Sequence, residues 1–179
     1  MSRTSTPQGG NNLILRRQLQ ELSKNPVEGF SAGLVDDNNL LEWEVMIIGP
    51  PDTLYEGGFL KARLSFPPEF PLLPPTMRFI TPMWHPNVYP DGGVCISILH
   101  PPEEDQYGYE DAGERWLPVH TVESILMSVI SLLSSDTPNT DSPANVDAAA
   151  SHNQISQQMY CYKKKVRRLV RRSAEEAFD

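Results

Sequence analysis

Hydrophobic positions recur along this chain in two periods, and the switch between them divides it. Residues 13–24, LILRRQLQELSK, put Leu15, Leu19 and Leu22 on one side of a helix and Arg16, Arg17, Gln20 and Glu21 on the others, until Asn25-Pro26 stops it. The period then shortens to two. Residues 40–49, LLEWEVMIIG, are aromatic and β-branched, and residues 59–66 alternate Leu60, Ala62, Leu64 and Phe66 with Lys61, Arg63 and Ser65. Residues 76–80, TMRFI, predict a shorter strand. Between these lie DDNN (36–39), PPDTLYEGG (50–58) and PPEFPLLPP (67–75), all built of turn residues. Connections this short favour an antiparallel meander.

From residue 121 the helical period returns. Val122, Ile125, Leu126, Val129, Ile130 and Leu133 form a stripe that ends near Ser134-Ser135, and Pro138 bars its continuation. Residues 144–150 predict a short helix entered through Pro143. A last helix carries Ile155, Met159, Tyr162, Val166, Leu169, Ser173 and Ala177 on one side, with its basic cluster turned to solvent. A helix, three or four strands and then helices make an α+β fold. Residues 1–12 read as a polar, disordered tail. Residues 13–179 read as one domain, long enough to bury a real core and free of internal repeats.

Residues 81–120 fit neither period, and a connection of that length in a compact domain is usually functional. Cys95 lies in its middle, in HPNVYPDGGVCISIL (85–99), just past the Asp91-Gly92-Gly93 turn. Three readings compete for it. With Val94, Ile96 and Ile98 it could be a small buried patch, the general expectation for a cysteine. Metal ligation with His85, His100 or His120 fits no standard spacing. A Cys/His hydrolase has four histidines to draw on, yet nothing in the sequence marks a base aimed at the thiol.

Composition narrows the setting. Apolar residues make up 39% and charged residues 21%, which suits a soluble globular protein. No apolar run approaches the roughly eighteen residues of a membrane span, and the first twelve residues hold no secretory signal. Two cysteines form no disulfide framework, which fits a reducing compartment. The net charge of −8 hides an asymmetry: KKKVRRLVRR (163–172) holds seven of the fifteen basic residues, and EEDQYGYEDAGE (103–114) holds six acids in twelve positions. That is less a nucleic-acid binder than a bipolar protein docking different partners at different ends.

Taken together, residues 13–178 resemble a ubiquitin-conjugating enzyme. The resemblance rests on LRRQLQEL, GFSAG, WEVMIIGPPDTLYEGG, PPEFPLLPP with MRFIT, and HPNVYPDGGVCISIL at the spacing of the family's active-site signature. NPVEGFSAGL, GYEDAGERWLPVHTVESI, SPANVDAA and an acidic insert at about residues 101–114 are similar to the class G and yeast Ubc-seven-like subgroup. The implied fold is an N-terminal helix, a four-stranded antiparallel meander sheet, a long active-site segment and C-terminal helices.

The resemblance implies that Cys95 takes the carboxyl terminus of ubiquitin from an activating enzyme as a thioester. Cys95 then passes it to lysine amines, normally with a ligase, in a pathway that feeds proteasomal degradation. An ordinary thiol, with a pKa of about 8.5, is already a few per cent thiolate at neutral pH, enough for exchange with another thioester. Aminolysis passes through an oxyanion, which the neutral amide of Asn87 can stabilise; a purely loop-pinning role for Asn87 is the plainer alternative. His85 is implied to lock the loop. Where the family often carries an aspartate that deprotonates the incoming lysine, TDSPAN gives Ser142, with Asp141 one residue earlier. Asp141 and the insert acids Glu103, Glu104 and Asp105 are the candidates to replace it.

Docking residues follow from the same resemblance: Arg16 and Arg17 for the activating enzyme, Leu72, Pro118 and Val119 for a RING-type ligase, and Ser31 for a second ubiquitin on the outer sheet face. No cofactor or metal is expected on the chain, ATP being consumed by the upstream activating enzyme. The protein is expected to be a cytoplasmic monomer, also nuclear or recruited to the endoplasmic reticulum by a partner. Three rivals stand beside this reading: a catalytically inactive interaction protein of the same fold, a thiol hydrolase, and a carrier of a ubiquitin-like modifier.

Overall fold

The structure, a computed structural model, describes residues 8–102, 114–152 and 157–179, with side chains from residue 12 onward. Helix α1 (Gln8–Lys24) leads into strands β1 (Phe30–Asp36), β2 (Asn39–Ile48), β3 (Phe59–Ser65) and β4 (Thr76–Phe79). These form one antiparallel sheet in the order β1-β2-β3-β4. Helices α2 (Val122–Ser134), α3 (Val146–His152) and α4 (Gln157–Ala177) complete the α+β fold, with a 3₁₀ turn at Ser97–Leu99. α1 begins inside the segment expected to be a disordered tail. Once Leu15 is buried against the sheet, extending the helix backward costs propagation rather than nucleation.

Alternation decides the sheet's inner face. Trp43, Val45 and Ile47 of β2 and Leu60, Ala62 and Leu64 of β3 are buried together, along with Met77 and Phe79 of β4. Leu15 of α1, the Val122, Ile125, Leu126, Val129 and Leu133 stripe of α2, and Tyr162, Val166 and Val170 of α4 join the same core. The strand at Phe30–Asp36 was not foreseen on its own, because Ala32 and Gly33 break any apolar alternation. It is defined by pairing instead: Phe30 opposes Ile47 and Leu34 opposes Trp43. Asp37-Asn38 close the hairpin.

Polar side chains settle where the helices start. Thr121 Oγ1 accepts from Ser124 N–H (3.1 Å) while Ser124 Oγ accepts from Thr121 N–H (2.8 Å), a reciprocal cap on α2. Gln18 of α1 reaches across to accept from Val122 N–H at 2.8 Å, tying the two helices. α3 starts two residues later than the Ala144 predicted, because Asn145 is its cap and accepts from Ala148 N–H (3.0 Å). On α4 the inward residues include Val170 rather than Ala177, which is exposed, and Ile155 lies outside the described residues. Ser173 accepts from Phe59 N–H (3.2 Å) and so fastens α4 to the start of β3.

Trp43 is the central side chain of this core, fully buried, packed on Phe66 at 5.4 Å between ring centroids, and donating through Nε1 to the Leu40 carbonyl (2.8 Å). Trp43→Ala leaves a cavity no neighbour can fill, and a loss of about 3–5 kcal/mol is expected in urea unfolding followed by circular dichroism. An unchanged midpoint would contradict this picture of the core.

Candidate active site

The segment around Cys95 has almost no regular structure, so backbone hydrogen bonds must hold it. Its first half is stitched to the end of β4: Phe79 N–H donates to the Gly92 carbonyl (2.9 Å) and Val94 N–H to the Met77 carbonyl (3.0 Å). Gly92 has φ of 97°, and a Cβ there would lie 2.2 Å from the Phe79 carbonyl oxygen, so only glycine fits this close approach. Asp91 accepts from Gly93 N–H (2.9 Å) and pairs with Arg78 (3.0 Å). Those two bonds, with the Arg78 charge, hold its carboxyl below the usual carboxylate range.

Asn87 sits where three tethers meet. Its carbonyl accepts from Cys95 N–H at 2.9 Å, its own N–H donates to His85 Nδ1 at 2.9 Å, and its side-chain Nδ2 donates to the Asn139 carbonyl at 2.9 Å. A primary amide carries two N–H groups, and this bond uses one of them. Asn87 Oδ1 is buried with no partner among the described residues. Behind it, the Pro86 carbonyl accepts from both Ala144 and Asn145 N–H (2.8 and 3.0 Å), joining the loop to the start of α3.

His85 is buried, 2% exposed. Its Nδ1 accepts from Asn87, which puts the ring proton on Nε2. Burial pushes its pKa down to about 4; a hydrogen bond to the Leu132 backbone opposes that shift and nearby His152 adds to it. The ring is therefore neutral and braces the loop.

Cys95 itself is half-buried and lines an open cleft of about 1150 Å³. Asn87, Asp141 and Ser142 line the same cleft, as do Asn139, Glu114, Ser128, Ser131 and Ser135. The cleft brings Cys95, Asn87, Asp141 and Ser142 together. Asp141 and Ser142 are exposed at its rim, and Asn139 Oδ1 shapes the turn there by accepting from Asp141 N–H (3.0 Å). Glu103, Glu104 and Asp105 lie outside the described residues. Sequence reasoning weighed His100 only as a metal ligand and did not place it beside the thiol: the 3₁₀ turn at Ser97–Leu99 folds the chain back, leaving His100 Nε2 3.9 Å from Cys95 Sγ. A histidine five residues on is a signal only once that turn is known. Tyr89, half-exposed, was also missed, and proximity to the Cys95 thiol raises its pKa, with burial second. Among the described residues, no three His, Cys, Asp or Glu side chains group as a metal site would need.

The predicted docking residues are exposed on other elements. Arg16 and Arg17 lie on α1, Leu72 is 68% and Val119 80% exposed, and Pro118 is exposed beside Val119. Trp116 Nε1 donates to the Pro71 carbonyl (2.8 Å), which draws the loops of Leu72 and of Pro118-Val119 against each other. Ser31 is exposed on β1 opposite Met46.

A four-stranded meander with flanking helices thus frames an open cleft that holds a half-buried cysteine. The family model described as "Ubiquitin-conjugating enzyme" matches residues 14–170, and the chain belongs to that family. It is 64% identical over 169 residues to ubiquitin-conjugating enzyme E2 15 of Schizosaccharomyces pombe, covering 94% of this chain and 98% of that one. It is 61% identical to ubiquitin-conjugating enzyme E2 13 of Arabidopsis thaliana, covering 91% and 95%. Among solved structures it is similar to human ubiquitin-conjugating enzyme E2 G1, with 63% identity, a TM-score of 0.63, and 70% of this chain and 96% of that one covered. The chain is thus an acyltransferase of ubiquitin conjugation that works through a thioester, in the Ubc-seven-like subgroup. Its partners are ubiquitin, an activating enzyme and ligases.

The neutral state of His85 has a measurable cost in acid. Its folded pKa of about 4 lies below the unfolded value of 6.5, so the unfolded chain binds the proton first as pH falls. Stability from this residue is complete above about pH 6.5 and is lost towards pH 4, by roughly 3 kcal/mol in all. Urea unfolding across that window is expected to be steeply pH-dependent in the wild type and flatter in His85→Asn. Equal slopes would assign the acid sensitivity to other groups.

Proposed function

We propose that Cys95 is the thioester acceptor. Its thiolate attacks the carbonyl of a ubiquitin thioester on the activating enzyme, whose cysteine leaves as thiolate. In the second half-reaction a deprotonated lysine amine attacks the Cys95 thioester, an isopeptide bond forms, and Cys95 regains its thiol. The observation that carries this reading is a half-buried sulfur in an open cleft that Asn87 also lines. The other cysteine, Cys161, is exposed on α4, which contributes no residue to that cleft.

Asn87 has two parts in this reading. One N–H pins the Asn139 segment, and the other meets the oxyanion of the tetrahedral intermediate, a contact worth about 3 kcal/mol in comparable sites. Asp141, at the rim beside Ser142, takes the proton of the incoming ammonium. The acids at 103–105 draw that ammonium in by Coulomb attraction. Arg16 and Arg17 receive the activating enzyme. Leu72, Pro118 and Val119 receive a RING-type ligase, exposed apolar side chains of the kind transient partners use. Ser31 marks a surface for a second ubiquitin. The protein works as a cytoplasmic monomer without a bound cofactor, and its products feed proteasomal degradation.

Incubation with activating enzyme, ATP and ubiquitin is expected to give a reducible adduct that disappears in Cys95→Ala. Persistence of the adduct on Cys161 would overturn the assignment. Asn87→Ala is expected to charge normally but to discharge to free lysine about a hundredfold more slowly; equal discharge would remove Asn87 from the chemistry. Replacing Asp141 by Ala, or Glu103, Glu104 and Asp105 by amides, is expected to slow discharge at neutral pH more than charging. If both steps are untouched, those carboxylates have no part in the transfer.

A further inference from the structure

Helix α4 carries a charge pattern that the transfer chemistry does not use. Of the seven basic residues between 163 and 172, two are occupied within the fold. Lys165 lies over the Trp84 ring with Nζ 3.3 Å from its centroid, and Arg172 pairs with Glu176 at 2.7 Å. The other five, Lys163, Lys164, Arg167, Arg168 and Arg171, are exposed and have no ion pair among the described residues. At 3.6 residues per turn they occupy about 140° of the helix circumference, on the side away from the buried Tyr162, Val166, Val170 and Ser173. The stripe is straight and about 12 Å long. Tyr160, 62% exposed, continues it by one turn at the N-terminal end.

We propose that this stripe is a peripheral docking surface for an anionic phospholipid bilayer. Charge complementarity and shape carry the inference. The rest of the chain has eight basic residues against twenty-three acidic ones, so the molecule is a strongly acidic body with one cationic edge. A plane touching that edge feels the five free cations directly. Salt screens the repulsion of acidic groups that lie more than about 8 Å from that plane. A tyrosine in line with the cations matches the preference of amphipathic rings for headgroup depth. A nucleic-acid duplex presents the same anionic charge, and Glu175, Glu176 and Asp179 close the C-terminal end of the helix against either; the ring of Tyr160 favours the bilayer, and the test below separates the two. None of the described helices is long and apolar enough to cross a membrane, so attachment through this edge is reversible. α4 supplies no residue to the Cys95 cleft, so a docked molecule keeps that cleft open.

The test is co-flotation of the full chain with phosphatidylcholine vesicles against vesicles that also contain phosphatidylserine. Binding to the anionic vesicles alone is expected, weakening as salt rises and by roughly fivefold for each cation neutralised in Arg167→Gln, Arg168→Gln and Arg171→Gln. The charge-preserving set Arg167→Lys, Arg168→Lys and Arg171→Lys is expected to retain it. Cys95 charging, equal in all variants, reports that each is folded. No enrichment on anionic vesicles, binding unaffected by neutralisation, or tighter binding to duplex DNA at the same salt would each overturn the proposal.

Discussion

Transfer from a thioester requires that sulfur, oxyanion donor and incoming amine be held in register, yet the sulfur here lies on a stretch of chain with almost no regular structure. The constraint that resolves this is the triple tether at Asn87. Its carbonyl fixes the Cys95 backbone, its N–H is fixed by His85, and its side chain fixes the Asn139 segment across the cleft. One residue thus couples both walls of the site. Each tether depends on the next layer out. His85 holds its position only because it is buried and neutral, and the ladder to β4 closes only because Gly92 has no side chain. Loop geometry of this kind is as determined as a strand's, but by individual hydrogen bonds rather than by a repeating ladder.

The same economy governs how functions are distributed over the surface. Cys95 faces a cleft walled by α2 and the 136–142 segment. The exposed apolar loops at Leu72 and Val119 belong to another part of the surface, drawn together by the Trp116–Pro71 bond. The free cations belong to the outer side of α4. Gln18, reaching from α1 to the first turn of α2, shows how the separate surfaces still share one rigid frame.

Much of the frame was legible in advance because burial on one face writes a period into the chain. The alternation of residues 59–66 and the stripe of residues 122–133 returned as β3 and α2 almost residue for residue. What was not legible is what depends on partners distant in sequence. The strand at Phe30–Asp36 has no alternation of its own and exists through its pairing with β2. The start of α3 was missed by two residues because an asparagine cap outweighed a proline signal. Cys95, Asn87 and His85 were singled out by motif and spacing, and the structure places Cys95 and Asn87 on one cleft with His85 bonded behind Asn87. The nearness of His100 to the sulfur and the tie from Asn87 to Asn139 were not legible, since one needs a 3₁₀ turn and the other runs through a backbone carbonyl that carries no side-chain signature.

The charge lining the cleft supplies the last step. No lysine or arginine is among the described residues that line it; the ionisable groups are Cys95, two histidines, Glu114 and Asp141. A fixed cation beside the thioester would stabilise an oxyanion, but it would also repel the incoming lysine while that amine is still an ammonium. A neutral amide donor avoids the conflict, and carboxylates at the rim turn repulsion into attraction. Seven of the chain's fifteen cations are instead gathered on α4, which takes no part in the cleft. In the proposed reading, a lysine approaches the Cys95 thioester past two carboxylates and meets no fixed cation among the described lining residues.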